Sequence, residues 1–350
     1  MIRKKVYVIV LNWNGKKDSI SCLDSLRCLD VGDAIDYVVV VCDNESSDGS
    51  SDAIREWALS ASDVIDVPEH IRTYLPRMVP RAVNFAEFDR ETAEAGGHSD
   101  NADVVLIHTG ANLGYAGGNN VGIRYALARG DADFVWVLNN DTFVHPDSLA
   151  TLVERCMKDD DIAMVGSTLR YFDEPEKIQA RGGCSFIPWR VRARPIGEGA
   201  FCSSTDGESH AEIEKRTAYV VGASLLVPRA FLEAVGLMQE DYFLYFEELD
   251  WAERARRDSS RRWRLGYADK SIVFHKVGAS AGTNERSAFS LRLLYGNQLR
   301  FMRRFYPHFL VVARLMLFVE AAKAFVKGKF TEAKVFSALI FASSVSPVRR

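Results

Sequence analysis

The chain has 350 residues, 47% of them hydrophobic, with 44 Lys+Arg against 47 Asp+Glu and a formal charge of −3. That length is too great for one small core and points to a principal domain of about 250 residues with a smaller C-terminal part. The near balance of charge excludes the broad basic field that sequence-indifferent nucleic-acid binding requires, so no nucleic-acid partner is expected.

The start Met-Ile-Arg-Lys-Lys precedes a Val/Ile run that turns polar at Asn12, too soon for a signal peptide or a spanning helix. Residues 6–11 read as a strand, 16–29 as a helix carrying Ile20, Leu23, Leu26 and Leu29, and 37–42 as a second strand. This is a βαβ unit, so the two strands should be parallel. Ser46-Ser47-Asp48 offer cap-type side chains for a helix from Ser50 to about Ala58. Between about 63 and 103 the periodicity fades among Pro68, Pro76, Pro80 and Gly96-Gly97, and this stretch reads as an insertion. Strand character returns at 104–108, helix at 117–129 and strand at 134–138, the alternation of a doubly wound, mostly parallel α/β sheet flanked by helices. Beyond Pro146 come a helix at 148–158, a more irregular β-rich stretch, a strand-like run at 219–227 and a short helix at 228–235.

From 287 onward the pattern is mainly helical. The apolar stretch 309–319 contains Arg314 and falls short of the 18 or more apolar residues a membrane span needs. Arg303, Arg304, Arg314, Lys323, Lys327 and Lys329 interleaved with Phe and Leu suit a helix lying on an anionic membrane surface, and equally a helical pair packed on the domain. The six cysteines form no C-x-x-C pair, which suggests a reducing, cytosolic chain without structural zinc.

Four segments carry the chemistry. Val8–Asn14, Val41–Ser46 and Trp136–Asp141 each deliver polar or acidic side chains directly after a β-branched apolar run, which in an open α/β sheet is the carboxyl edge where ligands collect. The fourth, Phe246-Glu247-Glu248-Leu249-Asp250-Trp251, clusters three acids beside aromatics. Asn139-Asn140-Asp141 can give a hard divalent cation the one carboxylate it needs when phosphate oxygens and water complete its shell. The same triplet is also a turn signal.

Five ordered motifs between about 5 and 305 resemble the family 2 inverting glycosyltransferases of the GT-A fold, in particular the rhamnosyl- and galactofuranosyltransferase branch: Val10–Gly15, Val41–Ser50, Asn112–Asn120, Leu138–Asp141 and Tyr245–Trp251. The resemblance implies a GT-A catalytic domain over 1–285, with a nucleotide-sugar-binding half at 1–145 and an acceptor-binding half at 146–285, and a helical C-terminal region at 286–350. It also implies site residues. Leu11, Asn12 and Asn14 would line the base pocket, with Asp43 and its neighbour Asn44 at the base or ribose. Asn112, Gly114, Gly117, Gly118 and Asn119 would form a glycine-rich phosphate segment, with a helix starting near Gly118. Asp141 matches the last acid of the family's D-x-D motif, with Asn139 and Asn140 beside it, and His275 in Val273–Ser280 matches the histidine placed on the metal, Mg²⁺ or Mn²⁺. Glu248 takes the position of the catalytic base with Glu247 as its rival, and Asp250 would anchor the loop or help bind acceptor.

The implied reaction moves a sugar from a nucleoside diphosphate donor, dTDP-rhamnose first and UDP-sugars behind it, to a hydroxyl of a saccharide or lipid-linked acceptor. By the same resemblance the protein would work in the cytoplasm, at the inner face of the membrane. Two rival classes remain in view: a sugar-phosphate nucleotidyltransferase, although the loop Asn12–Lys16 is poor in glycine for a triphosphate, and a non-catalytic nucleotide-sugar-binding scaffold. A dinucleotide-dependent dehydrogenase would need a G-x-G-x-x-G after the first strand, which is missing.

Overall fold

The computed structural model describes residues 3–60, 65–99, 101–203, 208–276 and 287–341. The end of the His275 motif, Val277–Ser280, lies outside the described residues, as do 342–350 of the helical C-terminal region. In chain order the strands are β1 (Lys4–Asn12), β2 (Ile35–Asp43), β3 (Phe85–Asp89), β4 (Val104–His108), β5 (Phe134–Asn139), β6 (Thr142–Val144), β7 (Ile162–Tyr171), β8 (Ile178–Arg181), β9 (Gly183–Ile187), β10 (Arg192–Pro195), β11 (Tyr219–Val220), β12 (Ser224–Pro228) and β13 (Arg264–His275). The helices are α1 (Lys16–Leu26), α2 (Ser50–Leu59), α3 (Glu69–Arg72), α4 (Arg90–Glu94), α5 (Gly114–Arg129), α6 (Ser148–Met157), α7 (His210–Arg216), α8 (Arg229–Val235), α9 (Glu247–Arg257), α10 (Ala288–Phe305), α11 (Leu310–Val326) and α12 (Phe330–Ile340).

The main sheet runs β3-β4-β2-β1-β5-β12-β7-β13-β6, with β8 paired to β7, while β10-β9-β11 form a small second sheet. Strands β3, β4, β2, β1 and β5 are mutually parallel, β13 is parallel to β7, and β12 is inserted antiparallel between β5 and β7. Central strands are apolar on both sides because both faces are covered. Val6, Val8 and Val10 of β1 pack with Cys22, Leu23 and Leu26 of α1, and alternate Tyr7 and Ile9 pack with Val121 and Tyr125 of α5. Trp136 and Val137 of β5 divide between the same two layers, and Trp251 of α9 joins the α5 side.

Two elements depart from the sequence reading. The stretch taken as an insertion supplies β3, the edge strand of the main sheet, paired in register with β4. Its Phe-Ala-Glu-Phe-Asp sequence is half-buried and therefore weakly periodic. The run 219–227 is two strands, β11 and β12, in different sheets, broken at Val221–Ala223. Register then aligns the carboxyl edge: Asn12 pairs with Asp43, Asp43 with His108, and Leu11 with Asn139.

Candidate active site

Asn12 ends β1 fully buried, and its side chain joins three elements. Its Nδ2 donates to Asp43 Oδ1 (2.6 Å) and Ser46 Oγ (3.0 Å), while its Oδ1 accepts from Ser19 Oγ of α1 (2.8 Å) and Asn140 Nδ2 (3.2 Å). Asn140 also donates to Ser19 Oγ at 2.9 Å, so Asn12 and Asn140 lock the ends of β1 and β5 to α1. Asn14, in the left-handed region at φ 52°, accepts the Ser47 N–H at 2.7 Å and ties the β1 loop to the β2 loop. Asp43 Oδ2 accepts from Ser46 N at 3.1 Å.

Asn44 binds the β2 loop to the glycine-rich segment. Its Nδ2 donates to Asn112 Oδ1 and to the Gly114 carbonyl, and its Oδ1 accepts from Leu113 N. Helix α5 begins at Gly114, four residues earlier than expected, and two of its first N–H groups are already engaged: Gly114 with Asn112 Oδ1 (3.1 Å) and Tyr115 with the Phe243 carbonyl (2.6 Å). The glycines serve close packing here. A Cβ on Gly118 would overlap Leu11 Cδ1, and one on Gly114 would overlap the Phe243 carbonyl. Asn119 is fully buried, donates to the Tyr115 carbonyl, and leaves its Oδ1 without a partner.

On the other flank, the antiparallel pairing of β13 with β6 sets His275 opposite Thr142, and the Lys276 N–H donates to the Asp141 carbonyl at 3.0 Å. His275 Nδ1 lies 2.9 Å from Gln179 Oε1; the amide oxygen accepts, which leaves Nε2 as the free ring nitrogen. Nε2 lies 3.2 Å from Asp141 Oδ1 without hydrogen-bond alignment, and that buried oxygen has no other partner. Asn139 Nδ2 stands 3.5 Å from the same nitrogen. Two lone-pair donors face one another, an arrangement a divalent cation relieves. Among the described residues no third His, Cys, Asp or Glu joins them, so diphosphate oxygens or water would complete the shell, as suits Mg²⁺ or Mn²⁺.

The acids of α9 follow a loop in which Phe243, Tyr245 and Phe246 all hold positive φ (62°, 72° and 80°), a strained path that persists because its surroundings over-determine it. Asn297 of α10 donates to the Tyr242 and Leu244 carbonyls at 2.6 and 2.8 Å. Asp250, fully buried, accepts from Tyr242 Oη (2.9 Å), Arg254 Nε (2.8 Å) and Arg304 Nη1 (2.8 Å). Its carboxylate is thereby engaged by three side chains at once. Glu247 is buried with Oε2 unpartnered; burial first, and then the Glu248 charge, push its carboxyl well above the usual range. Glu248 is half-buried and also raised by desolvation, with the N–H groups of Glu248 and Gly222 pulling it back.

Glu248 lines a cavity of about 400 Å³ whose wall includes Gln179, Tyr219, Tyr245, Leu294 and Tyr295. A Cβ on Gly222 would overlap both Glu248 Oε1 and Tyr115 Oη, and Tyr115 Oη donates to the Gly222 carbonyl at 2.8 Å. The Tyr115 hydroxyl is held well above its ordinary range by burial and then by the charges of Glu248, Glu247 and Asp141. One ring thus lies within electrostatic reach of the acids of both flanks. Sequence reasoning assigned no role to Tyr115, Gly222 or Gln179, and gave Ser46 only that of a helix cap. Only Tyr115 and Ser46 lie inside a motif; Gln179 is visible only through its contact 96 positions away.

Residues 89–202 match the family described as Glycosyl transferase family 2. The chain is 29% identical over 163 residues to the low-salt glycan biosynthesis hexosyltransferase Agl10 of Haloferax volcanii, covering 45% of this chain and 48% of that protein. It is 28% identical over 196 residues to the N-acetylglucosaminyl-diphospho-decaprenol L-rhamnosyltransferase of Mycobacterium tuberculosis, covering 53% of this chain and 62% of that one. These matches span about half the length of the first relative and under two thirds of the second. A solved structure of GalNAc-T7 with UDP, GalNAc and Mn²⁺ superposes over 98% of this chain and 55% of its own, with a TM-score of 0.58 at 12% identity, a likeness of fold. Residues 89–202 therefore carry a family 2 glycosyltransferase domain, in a chain with the GT-A fold.

Proposed function

We propose that the protein moves a sugar from a nucleoside diphosphate donor to an acceptor hydroxyl in a single displacement that inverts the anomeric carbon. The observation that carries this reading is the pairing of Asp141 with His275, whose ring is held by Gln179 in the wall of the same cavity that Glu248 lines. Asp43, with Leu11, Asn12 and Asn14, would hold the base and ribose at the ends of β1 and β2, where Asn12 and Ser46 orient the carboxylate. Asp141 and His275, flanked by Asn139, would hold Mg²⁺ or Mn²⁺, whose charge offsets that of the leaving diphosphate.

Glu248 is the base in this reading. Its carboxylate accepts the acceptor hydroxyl's proton as that oxygen bonds to the anomeric carbon and the bond to the diphosphate breaks. Cavity access favours Glu248 over Glu247, which is buried and does not line the cavity. The names of the two relatives favour a hexose or rhamnose and a lipid-linked or saccharide acceptor; dTDP-rhamnose is the first donor to try and UDP-sugars the next.

The test is nucleoside diphosphate release by the purified chain across a panel of nucleotide-sugars with Mn²⁺. We expect one donor to be turned over, Asp141→Ala to abolish the metal-dependent part, and Glu248→Gln to lower kcat at least 100-fold while donor affinity stays within twofold. Near-normal turnover by Glu248→Gln would remove the base assignment. Pyrophosphate release from a nucleoside triphosphate and a sugar phosphate would favour a nucleotidyltransferase, and donor binding with no turnover for any acceptor would favour a scaffold.

A further inference from the structure

Helix α11 has two apolar sides. It buries Ala313, Leu317, Ala321 and Ala324, and turns Val311, Leu315, Phe318, Val319, Phe325 and Val326 outward, with Phe318 63% and Val326 85% exposed. Those outward residues recur at helical spacing along its whole length, on the side where a water-facing helix carries polar groups. A continuous exposed apolar stripe of this kind marks a contact surface. A second element extends it. The tip of the β9–β10 hairpin packs against α11 and exposes Ile187 and Trp189, the latter by 53%.

Cations rim this surface. Arg190, Arg192 and Arg194 of the hairpin are exposed, and residues 310–341 contain five Lys/Arg against two Glu. Two of those lysines, Lys323 and Lys329, make exposed pairs with Glu320 and Glu332, which are weak in water. We propose that this face docks on an anionic lipid bilayer, with α11 lying in the plane of the interface and Trp189 at headgroup depth. Apolar outer face, aromatic at the edge and basic rim are the physical signature of an interfacial helix. Spanning is not the mode, because no helix among the described residues is long and apolar enough to cross a membrane. A second copy of the chain is the poorer occupant: a two-fold contact sets the same patch against itself and brings the basic rims together.

The docked face adjoins the cavity beside Glu248. Val191 and Ala193 of the hairpin and Leu294 and Tyr295 of α10 form part of its wall, and Tyr295 packs edge-on against Phe336 of α12. If the transferase reading holds, an amphiphilic acceptor would reach Glu248 with its acyl or isoprenoid chain still in the bilayer.

The experiment is co-sedimentation of the full chain with phosphatidylglycerol/phosphatidylcholine vesicles and with phosphatidylcholine vesicles, with neither donor nor acceptor present. We expect binding to the anionic vesicles that weakens with salt, and a loss of at least tenfold in the Leu315→Glu/Phe318→Glu variant with circular dichroism and Tm unchanged. Lys327→Gln/Lys334→Gln should lose about 25-fold on anionic vesicles, at about fivefold per lysine. Failure to bind anionic vesicles, or equal binding by the Leu315→Glu/Phe318→Glu variant, overturns the proposal. So does a dimer in light scattering that Phe318→Glu dissociates. Vesicle binding by a chain that releases nucleoside diphosphate from no donor of the nucleotide-sugar panel would sink the transferase reading and leave the docking surface standing.

Discussion

Gln179 is the sharpest place to test the metal assignment: its side chain holds His275 Nδ1, and because it also lines the cavity beside Glu248, a metal readout separates the two roles. Its Oε1 accepts the Nδ1 proton at 2.9 Å, which aims Nε2 at Asp141 Oδ1. Replacing Gln179 with Leu keeps the volume and removes the acceptor. An unpaired, largely buried N–H costs about 1–3 kcal/mol. The ring escapes that cost by moving its proton to Nε2, where Asp141 Oδ1 at 3.2 Å can accept it. Metal binding must then reverse the shift, so Mn²⁺ affinity should fall about 10–100-fold, equivalent to roughly 1.4–2.7 kcal/mol. Gln179→Glu should go the other way, since a charged acceptor strengthens the Nδ1 bond and the basicity of Nε2. The assay is calorimetric Mn²⁺ titration of the wild type, both variants and His275→Ala, with nucleoside diphosphate release measured at saturating Mn²⁺, where Gln179→Leu should recover most of its kcat. Equal Mn²⁺ affinity in the Leu and Glu variants would show that Gln179 does not tune His275. A Leu variant dead even at saturating metal would mean that Gln179 meets substrate instead.

Two further substitutions probe the acids of α9. Glu247 is buried with an oxygen unpartnered and its carboxyl raised, so the native state holds its proton more tightly than the unfolded chain does. Stability should therefore fall as pH rises above the unfolded value near 4.5, with a slope of up to about 1.4 kcal/mol per pH unit, and Glu247→Gln should raise Tm at pH 7 but hardly at pH 4; equal shifts at both pH values would contradict this. Asp250→Ala strips the partner from Arg254, Arg304 and Tyr242 at once and should cost about 3–5 kcal/mol by urea unfolding, where a loss below 1 kcal/mol would show that the anchor is unimportant.

How far the sequence reveals the molecule depends on whether a feature is local. The β1-α1-β2 unit, α5, β5 and the order of site motifs are written in apolar periodicity and in polar residues at strand ends, and they appear in the structure within a few positions of expectation. Short strands of mixed burial escape that reading: β3 hides in an acid-rich segment, and β12 runs antiparallel through a pairing that only the tertiary fold decides. Glycine is ambiguous for a physical reason. A missing Cβ lets a phosphate or a neighbouring strand come close, and both uses leave the same letters in the chain. At Gly118 a Cβ would meet Leu11 Cδ1, and at Gly114 the Phe243 carbonyl, so close packing already accounts for a missing Cβ at both positions. The acids of α9 are ambiguous likewise, since Glu247, Glu248 and Asp250 read alike until their partners are known. Arg304 lies 54 positions beyond Asp250, and that distant contact turns one of three adjacent acids into an anchor while Glu248 is left facing a cavity. The same logic governs α11. Both of its sides are apolar in sequence, so periodicity cannot say which one is core. Only the packing of its alanines inward leaves the Phe and Val side exposed, and that choice turns an ordinary helix into a surface in need of a partner.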